Sequence, residues 1–129
     1  MMDDMGIFRT AVGVENPARR GTVVTLDHVM VDTGSEYTWI PAATLEHLGI
    51  VAEREARFET ADGRAITRRI GYAIVHAAAT AAPDIVVFAR EGDMTLLGCR
   101  ALEGLNLRVD VVTRQLVSAG PVPAAVATR

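Results

Sequence analysis

The sequence predicts a single, mostly β domain. Its 129 residues are one domain's worth of chain, and 50% hydrophobic and 22% charged residues are the composition of a protein with a buried core. Short runs rich in β-branched residues recur between turn residues, at the spacing typical of all-β domains. The runs continue to residue 118. We therefore expect residues 1–118 to form the domain and residues 119–129, with Pro121 and Pro123, to form a flexible tail.

The first part of the chain is predicted to contain three strands and a short helix. The strands are expected at residues 6–14, 22–31 and 38–40. The second strand runs directly into the polar segment 32–35, where the apolar pattern would otherwise continue. Pro41 favours the first position of a helix and Gly49 favours a helix end, so a helix is predicted over residues 42–48.

A hairpin is predicted in the middle of the chain. Extended runs at residues 57–61 and 64–75 flank Asp62-Gly63, a dipeptide that favours a two-residue turn in which both residues adopt positive φ. The alanine-rich segment 76–82 that follows is too short for a stable helix, since Pro83 ends it. We interpret this segment as a loop or the end of a strand.

The last part of the chain alternates short strands with turns and one helix. A strand is predicted at residues 84–88, a turn at 91–93, and a short apolar strand at 95–97 that Gly98 closes. Residues 99–105 are expected to form a second short helix. Residues 107–110 and 115–117 are predicted to form a final hairpin.

The charged residues exclude several classes of function. All 13 basic residues are Arg, so the chain has no amine for Schiff-base catalysis, a Ser-Lys pair or a phosphate-binding loop. The net charge of −3 argues against a nucleic-acid partner. No apolar run approaches the ~20 residues of a membrane span. A lone cysteine and the acidic Asp3 and Asp4 near the start indicate a cytoplasmic protein without a signal peptide.

Few residues offer nucleophilic or metal chemistry. Neither Ser35 nor Ser118 lies in a nucleophile-elbow pattern. Cys99 has apolar neighbours, which favours a core residue over a catalytic thiol. The three histidines are scattered, and no CxxC, HxH or HExxH spacing is present. We therefore predict neither a metal site nor a cofactor.

Asp32 stands out because of its position. It is a carboxylate directly after an apolar strand, and Thr33-Gly34-Ser35 follows it. Gly34 allows a tight turn whose amides approach the carboxylate, while the hydroxyls of Thr33 and Ser35 can bond the acid or brace the loop. A plain Asx-type turn between two strands is the alternative interpretation of these residues.

The surroundings of Asp32 carry a family resemblance. The segment VMVDTGSEYTWIP, residues 29–41, resembles the active-site segment of retropepsin-like aspartic proteases: an apolar strand, DTGS, then Thr-x-apolar-Pro. TLLG at residues 95–98, the helix after it and LNLRVD resemble the second signature of that family. The predicted hairpin lies between them, in the place of the family's flap. The resemblance covers about residues 6–118 in the right order.

The resemblance implies a mostly β fold, a retropepsin-like single-lobe acid protease barrel with a flap hairpin and one or two short helices, in a two-fold homodimer. It implies an aspartic endopeptidase that cleaves a peptide or protein substrate with a water molecule activated by paired aspartates, without a cofactor. The implied catalytic residues are Asp32, Thr33 and Gly34. The implied substrate-binding residues are Ser35, Ala61, Asp62 and Gly63, with Ser35 bonded to the carboxylate of Asp32.

A single aspartate is half of the pair that this chemistry needs. Two carboxylates about 3 Å apart share one proton, so that one acts as base and the other as acid. With one DTG per chain, a two-fold dimer would bring Asp32 against its symmetry mate. An apolar dimer face is consistent with the positive mean hydropathy of +0.22. The alternative is a retropepsin-like module for dimerisation or peptide binding, with weak or absent cleavage.

Overall fold

The computed structural model describes residues 8–127, and within them nine strands and two short helices. The strands are Phe8–Glu15 (β1), Val23–Val31 (β2), Thr38–Pro41 (β3), Arg54–Glu59 (β4), Ala65–Ala77 (β5), Thr80–Ala89 (β6), Leu96–Leu97 (β7), Leu107–Asp110 (β8) and Gln115–Ser118 (β9). The helices are Ala42–His47 (α1) and Cys99–Leu105 (α2). The mostly β prediction is confirmed. Positions 6 and 7 of the first predicted strand, like the other residues of 1–7 and 128–129, lie outside the described residues.

Seven strands form one sheet that closes on itself. Their order is β1-β2-β7-β3-β6-β5-β4, and β1 pairs with β5 as well as with β2. Six strands therefore close into a barrel, and β4 is added outside it on β5. The β2–β7 and β3–β6 pairs are parallel, whereas β3 and β7 are antiparallel. The chain thus leaves the barrel at the end of β2 and re-enters it as β3, on the other side of the short β7.

The core fills the barrel and extends beneath both helices. Alternate residues of the strands point inward, among them the fully buried Val12, Ile40 and Val86. In α2 the buried residues Ala101, Leu102 and Leu105 follow the helical period, so one face of the helix packs on the barrel. Asn106 ends this helix in the left-handed conformation, with φ of 55°.

The central hairpin, β4–β5, has a different turn from the predicted one. Thr60 N–H donates to Arg64 O (2.8 Å) and Gly63 N–H donates to Thr60 O (2.9 Å). Gly63 has a φ of 85°, and Asp62 does not have a positive φ. The loop is therefore the three-residue type, in which a turn is followed by one left-handed residue. The prediction of a two-residue turn with both residues at positive φ was wrong, because the pairing that closes the loop joins Arg64 to Thr60 and leaves Ala61 in the loop as a third residue.

The alanine-rich segment contains the two-residue turn instead. β5 ends at Ala77 and β6 begins at Thr80, so Ala78 and Ala79 join them, with φ of 48° and 64°. Positive φ at both central residues matches the right-handed twist of the two strands. The interpretation of this segment as a loop or strand end is confirmed, since it holds the ends of two long paired strands.

A buried carboxylate lies where β1 closes the barrel against β5. The Glu15 side chain is 3% exposed, and its Oε1 is 2.8 Å from His76 Nε2. Its Oε2 accepts hydrogen bonds from Gly21 N–H (2.6 Å) and Arg20 Nε (3.0 Å). These contacts lower the pKa of Glu15 to about 2, and the largest contribution comes from the Gly21 bond, followed by that of His76.

This carboxylate makes the fold sensitive to acid. Since its folded pKa of about 2 lies below the ordinary value of 4.5, its stabilisation is complete above about pH 4.5 and is lost as pH falls toward 2. We expect the melting temperature of Glu15→Gln to fall less steeply than that of the parent over this window. Glu91→Gln, in an exposed turn, is the control. Equal slopes for Glu15→Gln and the parent would contradict the assignment.

Candidate active site

Asp32 follows the last residue of β2 and begins a tight turn. Its N–H donates to Leu97 O (3.0 Å), which ties the turn to the end of β7. Its Oδ1 accepts the N–H of Gly34 (2.9 Å), and its carbonyl accepts the N–H of Ser35 (3.2 Å). The carboxylate is therefore oriented by the backbone of the turn. This is an Asx-type geometry, and Oδ2 makes no hydrogen bond to another described residue.

The predicted catalytic residues lie together at the surface of this turn. Thr33 and Gly34 are exposed, while Asp32 and Ser35 are half-buried. The hydroxyl of Ser35 donates to Tyr37 O (3.1 Å). The implied bond from Ser35 to the Asp32 carboxylate is thus wrong for this chain, because the hydroxyl braces the outgoing segment of the loop.

The second signature holds the Asp32 turn from behind. Three consecutive N–H groups, those of Gly98, Cys99 and Arg100, donate to Thr38 Oγ1 (3.1 Å), Ser35 O (2.7 Å) and Glu36 O (3.2 Å). Together with the bond from Asp32 N–H to Leu97 O, they join two segments that are some 60 residues apart in the chain. The two sequence signatures therefore form one structural unit.

Gly98 is required in this unit by space. A Cβ atom at this position would lie 2.4 Å from Tyr37 O and 2.8 Å from Glu36 O, both of which are backbone atoms. Its φ of −90° is ordinary for any residue, so the requirement is steric. Gly98 lets β7 and the start of α2 approach the active-site loop closely enough for the hydrogen bonds to form.

The β4–β5 hairpin contacts the same loop near its tip, through a residue that pairs with Ile66 in the last but one strand pair before the turn. Phe58 of β4 contacts Trp39 with a ring-centroid separation of 5.0 Å, and contacts Tyr37 edge-on at 5.9 Å. Aromatic pairs at such distances contribute about 0.5–1.5 kcal/mol beyond their burial. This cluster, which sequence reasoning missed, anchors the hairpin beside the chain that leaves Asp32.

The tip of the hairpin is exposed and polar. Ala61, Asp62 and Gly63 are all exposed. The carboxylate of Asp62 accepts a hydrogen bond from the Thr60 hydroxyl and pairs with Arg64 Nε at 3.0 Å. The Thr60 bond is the main cause of a lowered pKa for Asp62. These contacts stay within the hairpin, and no hydrogen bond or ion pair among residues 8–127 links the tip to the Asp32 turn.

Sequence reasoning also missed Asp84. This residue of β6 is 8% exposed, and its Oδ2 has no hydrogen-bond partner among the described residues. Burial raises the pKa of Asp84, against the smaller opposing effects of the Thr38 hydroxyl, the Ile85 N–H and the charge of Arg100. The sequence signal for a buried acid was its position directly before the apolar residues 85–89, and this position was interpreted only as the start of a strand.

The remaining candidates do not form a second site. Among residues 8–127, no group of three His, Cys, Asp or Glu side chains is arranged to hold a metal ion. Cys99, predicted to be a core residue, is a free, half-buried thiol at the start of α2. No helix in the described part of the chain has the length and apolar character needed to cross a membrane.

A closed barrel with a DTG turn, held by a second Leu-Leu-Gly segment, defines the class of retropepsin-like aspartic proteases. The family model described as gag-polyprotein putative aspartyl protease matches residues 25–104. That range is more than half of the chain and contains the Asp32 turn, the hairpin and Gly98, so the chain belongs to this family.

Among solved structures, a similar chain matches this one over most of its length. It is described as a retropepsin-like aspartic protease from Rickettsia conorii, at 18% sequence identity and a TM-score of 0.47. The alignment covers 89% of this chain and 92% of that one. No curated protein sequence matches the chain.

Proposed function

We propose that the protein is an aspartic endopeptidase whose active site is completed by a second copy of the chain. The observation that carries the proposal is the Asp32 carboxylate, which is held through Oδ1 by the Gly34 N–H while Oδ2 is without a partner among the described residues. Thr33 and Gly34 lie exposed beside it. This arrangement presents one oriented carboxylate, with adjacent backbone, to a partner and a substrate.

Peptide hydrolysis by aspartates needs a second carboxylate. Glu36, the next acid along the chain, is engaged with Arg100 at 3.3 Å. We therefore infer that the second carboxylate is Asp32 of a second copy, related by a two-fold axis beside the turn. The exposed Thr33 is proposed to bond across that axis and lock the two turns together.

In the proposed reaction the paired carboxylates hold one proton between them. The ionised one takes a proton from water as the water oxygen attacks the scissile carbonyl carbon. The protonated one donates its proton to the carbonyl oxygen, which gives a neutral tetrahedral diol. Proton transfer to the peptide nitrogen then lets the C–N bond break, releasing a carboxylic acid and an amine. Water is the nucleophile, and no cofactor takes part.

The hairpin is proposed to cover the substrate. Ala61, Asp62 and Gly63 form an exposed tip, and Phe58, three residues before Ala61, packs against Trp39 and Tyr37 of the chain that leaves Asp32. A tip held close to the Asp32 loop in this way is placed to close over a bound chain and exclude water. The substrate class favoured by this arrangement is an extended peptide, bound partly through its main chain as an added strand.

Exposed apolar residues near the C-terminal end support a partner surface. β8 and β9 form a two-stranded sheet separate from the barrel, and such a sheet is marginal alone and has two open edges. Val111 and Val112 at its turn are 66% and 87% exposed, and Val122 and Val126 beyond it are 70% and 69% exposed. Residues 119–127 contain neither helix nor strand. A second copy is the proposed cover for these residues.

The proposal is tested by measuring association and cleavage together. At micromolar concentration we expect a dimer in sedimentation, because the site needs two copies of Asp32. An unfolded protein substrate should be cleaved at a rate per chain that falls on dilution below the dimerisation constant. A strictly monomeric protein that nevertheless cleaves would contradict the shared site. A dimer that binds peptides without cleaving them would favour the binding-module alternative.

A further inference from the structure

The Thr38 hydroxyl is the side-chain component of the unit that holds the Asp32 turn. Thr38 is fully buried, and its Oγ1 accepts the N–H of Gly98 at 3.1 Å. A hydroxyl that accepts one hydrogen bond still has a proton to donate, and a buried donor requires an acceptor. Strand register brings the carboxyl group of Asp84 to the same face as this hydroxyl, and the hydroxyl is among the groups that act to lower the pKa of Asp84.

Asp84 and Thr38 lie on the same face of the sheet, on neighbouring strands. Parallel pairing of β3 with β6 places Thr38 opposite Val86, two residues along β6 from Asp84. Asp84 is 8% exposed and its Oδ2 has no partner among the described residues. Burial raises the pKa of Asp84, as expected for a carboxyl group kept from water. A buried acid with an unpaired oxygen lowers stability, whereas an apolar residue here would not.

We infer that Asp84 is a positioning residue that orients the Thr38 hydroxyl toward the Gly98 N–H and thereby fixes the Asp32 turn. Few contacts separate the Thr38 hydroxyl from the Asp32 turn. Gly98 follows Leu97, whose carbonyl accepts the N–H of Asp32 at 3.0 Å. The role of holding the Asp32 turn in one geometry explains why a buried acid that lowers stability is present at position 84. The catalytic consequence rests on the proposed function, whereas the hydrogen-bond role does not.

The test uses two matched pairs of variants. Thr38→Val removes the hydroxyl and keeps the shape, while Thr38→Ser keeps the hydroxyl. Asp84→Leu removes the acceptor, while Asp84→Asn keeps an oxygen that accepts from Thr38. The first readout is hydrogen exchange at the Gly98 amide, with the Val14 amide of β1, between β2 and β5, as a remote reference. The second readout is kcat and KM on a cleaved peptide.

We expect Thr38→Val and Asp84→Leu to speed exchange at Gly98 about tenfold relative to Val14, because the amide loses its oriented acceptor. In the same variants kcat should fall about tenfold with KM changed less than about twofold, since a misplaced turn slows the chemical step. Thr38→Ser and Asp84→Asn should stay within about twofold of the parent in both readouts.

The outcomes separate this inference from the proposed function. Asp84→Leu with parental Gly98 exchange and parental kcat overturns the positioning role. Faster Gly98 exchange in a protein that cleaves no substrate supports the positioning role and contradicts the protease. Where Asp84→Leu does not fold, Thr38→Val against Thr38→Ser decides, and equal Gly98 exchange in these two variants overturns the inference.

Discussion

Asp32→Asn is expected to lower the rate of peptide cleavage by about 10³-fold or more, since the side chain amide neither takes a proton from water nor holds the shared proton. The fold should survive, because an Asn oxygen still accepts the Gly34 N–H that Asp32 Oδ1 accepts at 2.9 Å. The measurements are kcat/KM on a peptide selected from a library digest, together with the thermal unfolding of both proteins.

Asp27→Asn is the matched control for this substitution. Asp27 lies on β2, five residues before Asp32, and its side chain is exposed. The same change of charge is made there without touching the turn, so the rate should stay within about twofold of the parent. Cleavage by Asp32→Asn at an undiminished rate would show that this carboxylate is not catalytic.

Gly98→Ala is expected to lower the free energy of unfolding by about 3 kcal/mol or more. The added Cβ would lie 2.4 Å from Tyr37 O, and a backbone oxygen has no rotamer by which to move away. The loop must therefore shift, which breaks the bonds from Gly98 and Cys99 to Thr38 and Ser35. Chemical denaturation measures the loss of stability, and the cleavage rate of the folded fraction should fall as well.

Gly104→Ala provides the contrasting case in the same region. Gly104 lies in α2, and a Cβ there would be 3.5 Å from the Cβ of Ala82, an ordinary contact. Since Ala is the better helix former, this variant should gain about 0.5–1 kcal/mol. A Gly98→Ala protein as stable as the parent would show that the close approach to Tyr37 is not a constraint.

Local sequence signals predicted the elements that depend on local physics. The helix predicted at residues 99–105 is observed at Cys99–Leu105, because its apolar residues follow a helical period between Gly98 and Asn106. The last hairpin, predicted at 107–110 and 115–117, differs from Leu107–Asp110 and Gln115–Ser118 by one residue. A polar DTGS after an apolar strand was sufficient to locate the turn at Asp32.

The types of the two hairpin turns depend on how the strands pair, so the residues of the turns alone did not predict them. Asp62-Gly63 is a favoured dipeptide for a two-residue turn, yet Thr60 and Arg64 close a three-residue loop around it. Ala78 and Ala79, which have no preference for positive φ, form the two-residue turn. The register of β5, paired along its length with β6, placed that turn where no residue type indicated it.

The contacts that support the site are non-local for the same reason. Thr38 and Gly98 are 60 residues apart in the chain and meet only because β7 lies between β2 and β3. Asp84 reaches Thr38 through the parallel pairing of β3 with β6, and Phe58 reaches Trp39 through the placement of the hairpin. The family resemblance indicated which residues carry the chemistry, and the fold indicates which residues hold them.

The central claim is that two chains share one active site, and mixing the parent with Asp32→Asn tests it most directly. Parent chains are kept at a fixed concentration with saturating peptide, and the variant is added and allowed to exchange subunits. Because a mixed dimer has one carboxylate, about a ninefold excess of variant should leave about a tenth of the parent rate. A parent rate that is unchanged by any excess of Asp32→Asn would show that each chain works alone, and would contradict the claim.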